Sequence, residues 1–221
     1  YDAESVFDWK DDRKPAPIAA ALVGKVGYRF VEQGRKPVVQ DIRPYWDSES
    51  LLAGSITGEL TWDAARGIVR IDTPRTQAVI GFLGAEPHAL GAVRITSSTR
   101  FGAIYVTAMD GVAPILSARR ILVTAVGPAR NTGMEYETTP QMSRLGAPYS
   151  RLKTAGSAPA LLEAVTGEIE VQSGRAGEFK AWALNMVGKR MREIPLTAKA
   201  GKATLTLRPN DRTVYYELAA E

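Results

Sequence analysis

Short runs rich in Val, Ile, Thr, Tyr and Trp follow one another along this chain, broken at brief intervals by Gly or Pro, and no long window repeats its apolar residues at helical spacing. The runs are 26–31, 59–62, 68–73, 76–83, 92–96, 103–108, 120–126, 168–172, 179–186, 203–207 and 213–218. Side chains on a strand alternate between two faces, so runs of this kind separated by turn residues build sheets. About ten or more strands at this spacing specify an all-β fold: an antiparallel β-sandwich of jelly-roll or immunoglobulin-like type, with two packed β subdomains as a variant. At 221 residues the chain is long enough to bury a sizeable core.

Two hairpins are legible. Leu60 and Trp62 face one way and can be opposed by Val69 and Ile71 across a turn in which Gly67 supplies a positive φ. Further on, 204–207, the turn Pro209-Asn210-Asp211 and 213–218 form a second unit, with Val214, Tyr216 and Leu218 on one face. The segment 158–165 reads as a short helix, since Pro159 suits a first turn and Leu161, Leu162 and Val165 share a face, or equally as an extended lead into the next strand. Residues 1–21 are charged, proline-bearing and aperiodic, and the sequence opens on Tyr1. They read as a linker or strap from an upstream domain, leaving 22–221 as the β domain with a sub-boundary near 150–166. Residues 131–152 read as a loop too long for an ordinary strand connection, either functional or packed as an Ω-type structure.

With no Cys and a single His88, the chain lacks a thiolate metal site, a thiol nucleophile, a disulfide framework and a histidine cluster. It contains no Gly-x-Ser-x-Gly elbow, P-loop, Gly-x-Gly-x-x-Gly turn or EF-hand loop, so neither a metal nor a cofactor is expected. The formal net charge is +4, yet Arg119-Arg120 and Lys189-Arg190-Met191-Arg192 are short and isolated, which argues against a nucleic-acid partner. The longest uncharged runs, 76–85 and 101–109, fall far short of the roughly 18 apolar residues of a membrane helix, so no membrane partner is expected either.

Glycoside hydrolysis needs two carboxylates with divergent pKa values, and Asp63, Asp72, Asp110, Glu135 and Glu137 are nominal candidates. Asp63 and Asp110 precede turn residues and read as turn formers, so no catalytic residue is assigned. Arg75, beside Pro74, reads as a fork onto Asp72 or a carbonyl that locks a corner. Trp62 and Trp182 alternate with apolar residues and are expected in the core or in inter-domain packing. Exposed rings are the other route to function, because a sugar presents apolar C–H faces that stack on Trp or Tyr while its hydroxyls bond polar side chains. Tyr45 and Trp46 lie in a polar stretch without strand period. In the long loop, Tyr136 and Tyr149 accompany Asn131, Glu135, Glu137 and Arg144. These eight residues form the candidate glycan-binding set.

The succession Thr57-Gly58-Glu59-Leu60-Thr61-Trp62-Asp63, Asp72-Thr73-Pro74-Arg75-Thr76-Gln77 with Gly81-Phe82, 119–127, and Asn131-Thr132-Gly133-Met134 resembles the C-terminal β-rich domain that follows a TIM-barrel catalytic domain in bacterial glycoside hydrolases. Ala181-Trp182-Ala183-Leu184-Asn185 through 213–217 is similar to the endings of such domains, and the likeness runs from about Gly24 onward. The resemblance implies that the catalytic glutamates sit on a barrel, for which this chain has neither the length nor the strand–helix alternation. It implies an accessory domain of a secreted or periplasmic polysaccharide-degrading enzyme, with a polysaccharide or oligosaccharide and an upstream catalytic domain as partners. A purely structural domain that stabilises the barrel is the alternative, and a stand-alone enzyme using a carboxylate pair is the third.

Overall fold

The computed structural model describes residues 20–27, 41–142 and 148–221. After one helical turn, α1 (Ala20–Val23), come β1 (Trp46–Asp47), β2 (Leu52–Gly54), β3 (Leu60–Asp63), β4 (Ile68–Asp72), β5 (Thr76–Gly81), β6 (His88–Ala89), β7 (Val93–Ser97), β8 (Gly102–Ala108) and β9 (Arg120–Val126). Six short strands follow: β10 (Ala129–Thr132), β11 (Glu135–Tyr136), β12 (Gln141–Met142), β13 (Pro148–Tyr149), β14 (Leu152–Thr154) and β15 (Ser157–Leu162). The remainder are β16 (Gly167–Gln172), β17 (Phe179–Leu184), β18 (Arg190–Ile194), β19 (Leu196–Lys199), β20 (Lys202–Leu207) and β21 (Tyr215–Ala220).

Ten strands form one antiparallel sheet in the order β1-β2-β3-β4-β5-β8-β9-β21-β17-β18, and five form a second in the order β19-β20-β16-β7-β6. The core fills the space between them: Val79, Ile104, Val106, Ile121, Val123 and Leu218 from the large sheet meet Ile95, Ile169, Val171 and Leu205 from the small one. The chain is thus an all-β sandwich. In β8 and β9 the burial alternates strictly between buried and half-buried or exposed, so inward residues such as Ile104 and Val123 belong to the core and the others to the outer face. Both sheets take strands from either side of 150–166, which means that no boundary there divides the core.

The first hairpin has the expected register, with Leu60 opposite Ile71 and Trp62 opposite Val69, and Gly67 has φ 65°. The second does not form, because β20 joins the small sheet and β21 crosses to the large one, where it pairs with β9 and β17. Gly81, which pairs with Ile68 on the next strand, has φ 119°, and a Cβ there would be driven into the carbonyl oxygen of Gly67. Residues 158–165 form no helix: 157–162 is β15, paired with β10, because Ala129 to Asn131 offer a ladder to Ala160, Leu161 and Leu162. The linker at 1–21 lies outside the described residues except for Ala20 and Ala21, and so does the strand expected at 26–31 except for Val26 and Gly27, which carry no regular structure.

The described residues of 131–152, which are 131–142 and 148–152, form short paired strands rather than an irregular loop. They belong to a two-stranded ribbon in which β10 pairs with β15, β11 with β14 and β12 with β13, apart from both main sheets. Register shifts at Asn131/Thr132 and Glu135/Tyr136 interrupt the ladder. Most of its residues are exposed, including Tyr136, Met142, Tyr149, Leu152 and Leu161. This arm rises from Val126 of the large sheet and returns at Val165 ahead of the small one.

Candidate functional site

The register of the large sheet assigns its second face. Trp46, Ala53, Trp62, Val69, Ile80, Ala103 and Val126 are successive cross-strand partners from β1 to β9, so they stand in one row. Leu60, Ile71, Ala78, Tyr105, Thr124 and Tyr215 form the neighbouring row. Both rows are largely apolar. Among the described residues, a second sheet covers only the opposite face, and within these rows Ala53 and Ala78 are buried while Leu60 and Trp62 are exposed. Trp62, expected in the core or at a packing interface, is 41% exposed here, and Leu60 is similarly exposed. Just beyond β5, the exposed Phe82 meets Phe101 edge-on with centroids 5.1 Å apart, and the Arg100 guanidinium lies 5.9 Å from the Phe82 ring.

Towards the β18 edge the same face becomes charged. Leu122, Glu217 and Trp182 are cross-strand partners, and the Glu217 carboxylate accepts hydrogen bonds from Arg120 Nε at 2.9 Å and Arg190 Nε at 2.6 Å. Arg190 also lies 3.6 Å from the centroid of Trp182, which is buried with Leu184 and Ala219 in a small apolar cluster flanked by Leu122 and Tyr215. Burial would push the Glu217 pKa up, but hydrogen bonds from Arg190 and Arg120, together with their charges, outweigh it and hold the group below the ordinary range. Glu221 is likewise lowered, chiefly by its hydrogen bond from Lys180. Arg192 of the same basic run bonds Asp211 at 3.0 Å, so Arg120, Arg190 and Arg192 are all engaged within the chain.

The candidate glycan-binding residues fall into two places. Trp46 lies on the edge strand β1 and Tyr45 just before it, whereas the arm leaves from β9, six strands along. That separation is about 29 Å at the root, at about 4.8 Å per strand. Within the arm, Asn131 donates to the Ala155 carbonyl at 3.0 Å, Glu135 binds Lys153 at 3.1 Å, and Glu137 accepts from Gln141 at 2.8 Å while facing Arg151. Tyr149 donates to Gln141 at 3.2 Å. Tyr136 pairs with Leu152, and Arg130 lies 5.9 Å from its ring. The two tyrosines therefore join separate contact groups, and the polar side chains beside them already serve the arm's own cross-strand contacts. Arg144 lies outside the described residues.

The other singled-out residues have structural contacts. Asp63 accepts from the Arg66 amide at 2.9 Å, and Asp110 accepts from the amides of Arg119 and Arg120, as turn formers do. Asp72 accepts from the Gly91 amide, and Arg75 reaches the Ala108 carbonyl at 3.4 Å. His88 is buried, with Nε2 donating to the Leu83 carbonyl at 2.6 Å. An ion pair with Arg43 holds Asp41 at about 2, and the Ser50 hydroxyl lowers Asp47. Among the described residues, every carboxyl group with a displaced pKa is therefore held in its ionised form, no group of three or more His, Asp or Glu side chains is placed to hold a metal ion, and no helix is long and apolar enough to cross a membrane. Comparison with protein-family models, curated proteins and solved structures gave no match to this chain.

Proposed function

We propose that this chain is a non-catalytic accessory domain of a polysaccharide-degrading glycoside hydrolase and that it acts by docking, with the outer face of its large sheet packed against the catalytic domain. The observation that carries this reading is the apolar outer face, with Leu60, Trp62, Phe82 and Phe101 exposed beside half-buried Val69, Ile71, Ile80 and Tyr105. Contiguous apolar surface on a sheet whose other face is already packed suits a protein partner. The parent enzyme, and with it export to the periplasm or cell exterior, rests on the sequence resemblance.

Glycan binding on the same face is the second reading. Trp46 and Trp62 stand two strands apart, about 9.6 Å, with the small Ala53 between them, a spacing that suits alternate rings of an extended sugar chain. Its weakness is that their row holds no polar side chain to bond hydroxyl groups. Substituting Trp62→Ser and Phe82→Ser together should leave the chain folded but lower its unfolding free energy in urea by about 2–4 kcal/mol, because each ring lies outside the core yet is about half buried on the sheet. The same pair should abolish association with the catalytic domain supplied in trans. Retention of the unmodified chain by neutral polysaccharides in affinity electrophoresis, lost in Trp62→Ser alone, would replace docking with the glycan reading.

A further inference from the structure

At the end of the sandwich where the arm rejoins the body, a cleft of about 320 Å³ opens between the end of β15, the β17–β18 turn and the β20–β21 turn. Its lining includes the apolar residues Leu162, Met186 and Val214 and the charged residues Arg208, Arg212 and Glu163. That volume is at the lower end of the range for small-ligand sites, enough for one or two sugar rings.

The charges in the β20–β21 turn are divided unequally. Its one carboxylate, Asp211, is buried and committed: it accepts from the Arg208 amide at 3.0 Å, from Arg192 at 3.0 Å and from the Tyr216 hydroxyl at 3.4 Å. The guanidinium groups of Arg208 and Arg212 form no ion pair among the described residues, in contrast to Arg120, Arg190 and Arg192. Arg212 also holds a left-handed backbone conformation, φ 50° and ψ 37°, which Gly or Asn adopts at lower cost.

We propose that this cleft binds an acidic glycan, with the carboxylate of a uronic acid residue held by Arg208 and Arg212. A guanidinium is matched to a carboxylate by charge and by its planar fork. Glu163, which can only accept hydrogen bonds when ionised, suits the ring hydroxyls of a sugar and disfavours a second carboxylate beside the first. Met186 and Leu162 offer apolar surface for the C–H face of the ring. Identifying the anion as a sugar rests on the accessory-domain reading, whereas the anion site itself does not. The cleft includes none of Leu60, Trp62, Phe82 and Phe101, so docking and binding can fail separately.

Isothermal titration calorimetry of the whole chain with trigalacturonate, cellotriose and triglutamate tests the proposal. Trigalacturonate should bind with an affinity that falls as salt rises, and the neutral trisaccharide and the acidic peptide should bind at least about tenfold more weakly. Arg212→Asn should weaken trigalacturonate binding about tenfold or more while leaving the melting temperature unchanged or higher, and Arg208→Gln should weaken it similarly. No binding of trigalacturonate, equal binding of cellotriose, or full binding by Arg212→Asn would overturn the site. A loss of stability in Arg212→Asn would overturn it as well, by making the side chain structural. Equal binding of triglutamate would overturn the assignment to a sugar, even with the docking test passed.

Discussion

Replacing Glu217 with Gln isolates the energetic role of the charged end of the outer face. The side chain is only 8% exposed, and it faces two guanidinium groups whose own side chains are 62% (Arg120) and 41% (Arg190) exposed. Gln preserves volume and one acceptor but removes the charge. With one acceptor gone, one of the two arginine bonds is lost outright, which at about 1.5–3 kcal/mol for a hydrogen bond to a charged group is about 2 kcal/mol. Water reaching the exposed arginines offsets part of this, which brings the expected cost to about 1–2 kcal/mol at pH 7. The sign with pH is fixed. Because the folded-state pKa of Glu217 is lowered, its contribution is complete above the ordinary glutamate value and is lost as pH falls through the folded value. Urea unfolding of parent and variant should therefore differ near neutrality and converge well below about pH 4.3, where the parent's glutamate is protonated as well. A difference that is absent at pH 7, or that persists unchanged into acid, would refute the assignment of Glu217 as an ionised hub.

Two further outcomes follow from the fold. Gly81→Ala should cost about 3 kcal/mol or more in thermal unfolding, because φ 119° is strained for alanine and the new methyl group meets the Gly67 carbonyl; a variant as stable as the parent would disprove that close approach. Limited trypsin digestion should cut the exposed arm at Arg130, Arg151 or Lys153 before the paired strands of the sandwich, and the nicked protein should melt as the intact chain does, since the arm lies apart from the core.

What could be read from the sequence depended on whether burial imposed a pattern. The run 120–126 coincides with β9 because Ile121, Val123 and Ala125 must face the core while their neighbours face outward. The same logic delivered the pairing of Leu60 with Ile71 and of Trp62 with Val69. The arm could not be read this way: a ribbon with both faces in solvent imposes no alternation, so its Gly, Ser and Thr content suggested a loop. The two alternatives for Trp62, core or inter-domain packing, stayed open for a related reason, since apolar residues on both faces of a sheet do not reveal which face the core takes. The Arg120–Glu217–Arg190 cluster was beyond reach because its first contact joins residues 97 positions apart and depends on strand register, which no local pattern specifies. The partial signal was Glu217 itself, an acid between the inward-facing Tyr216 and Leu218.

The place of β21 in the large sheet affects how this chain acquires its structure. This strand, the latest in sequence, lies between β9 and β17, and its Tyr216 and Leu218 complete the core. Until residues 215–220 are available, β9 and β17 present open edges, and the strands on either side of the gap have no ladder joining them. Pairings across such long separations close large loops before any contact rewards them, so folding should be slow, on the order of milliseconds to seconds. A nascent chain halted before Tyr215 would expose the unpaired edges of β9 and β17, with apolar surface beside them, and would be prone to aggregate.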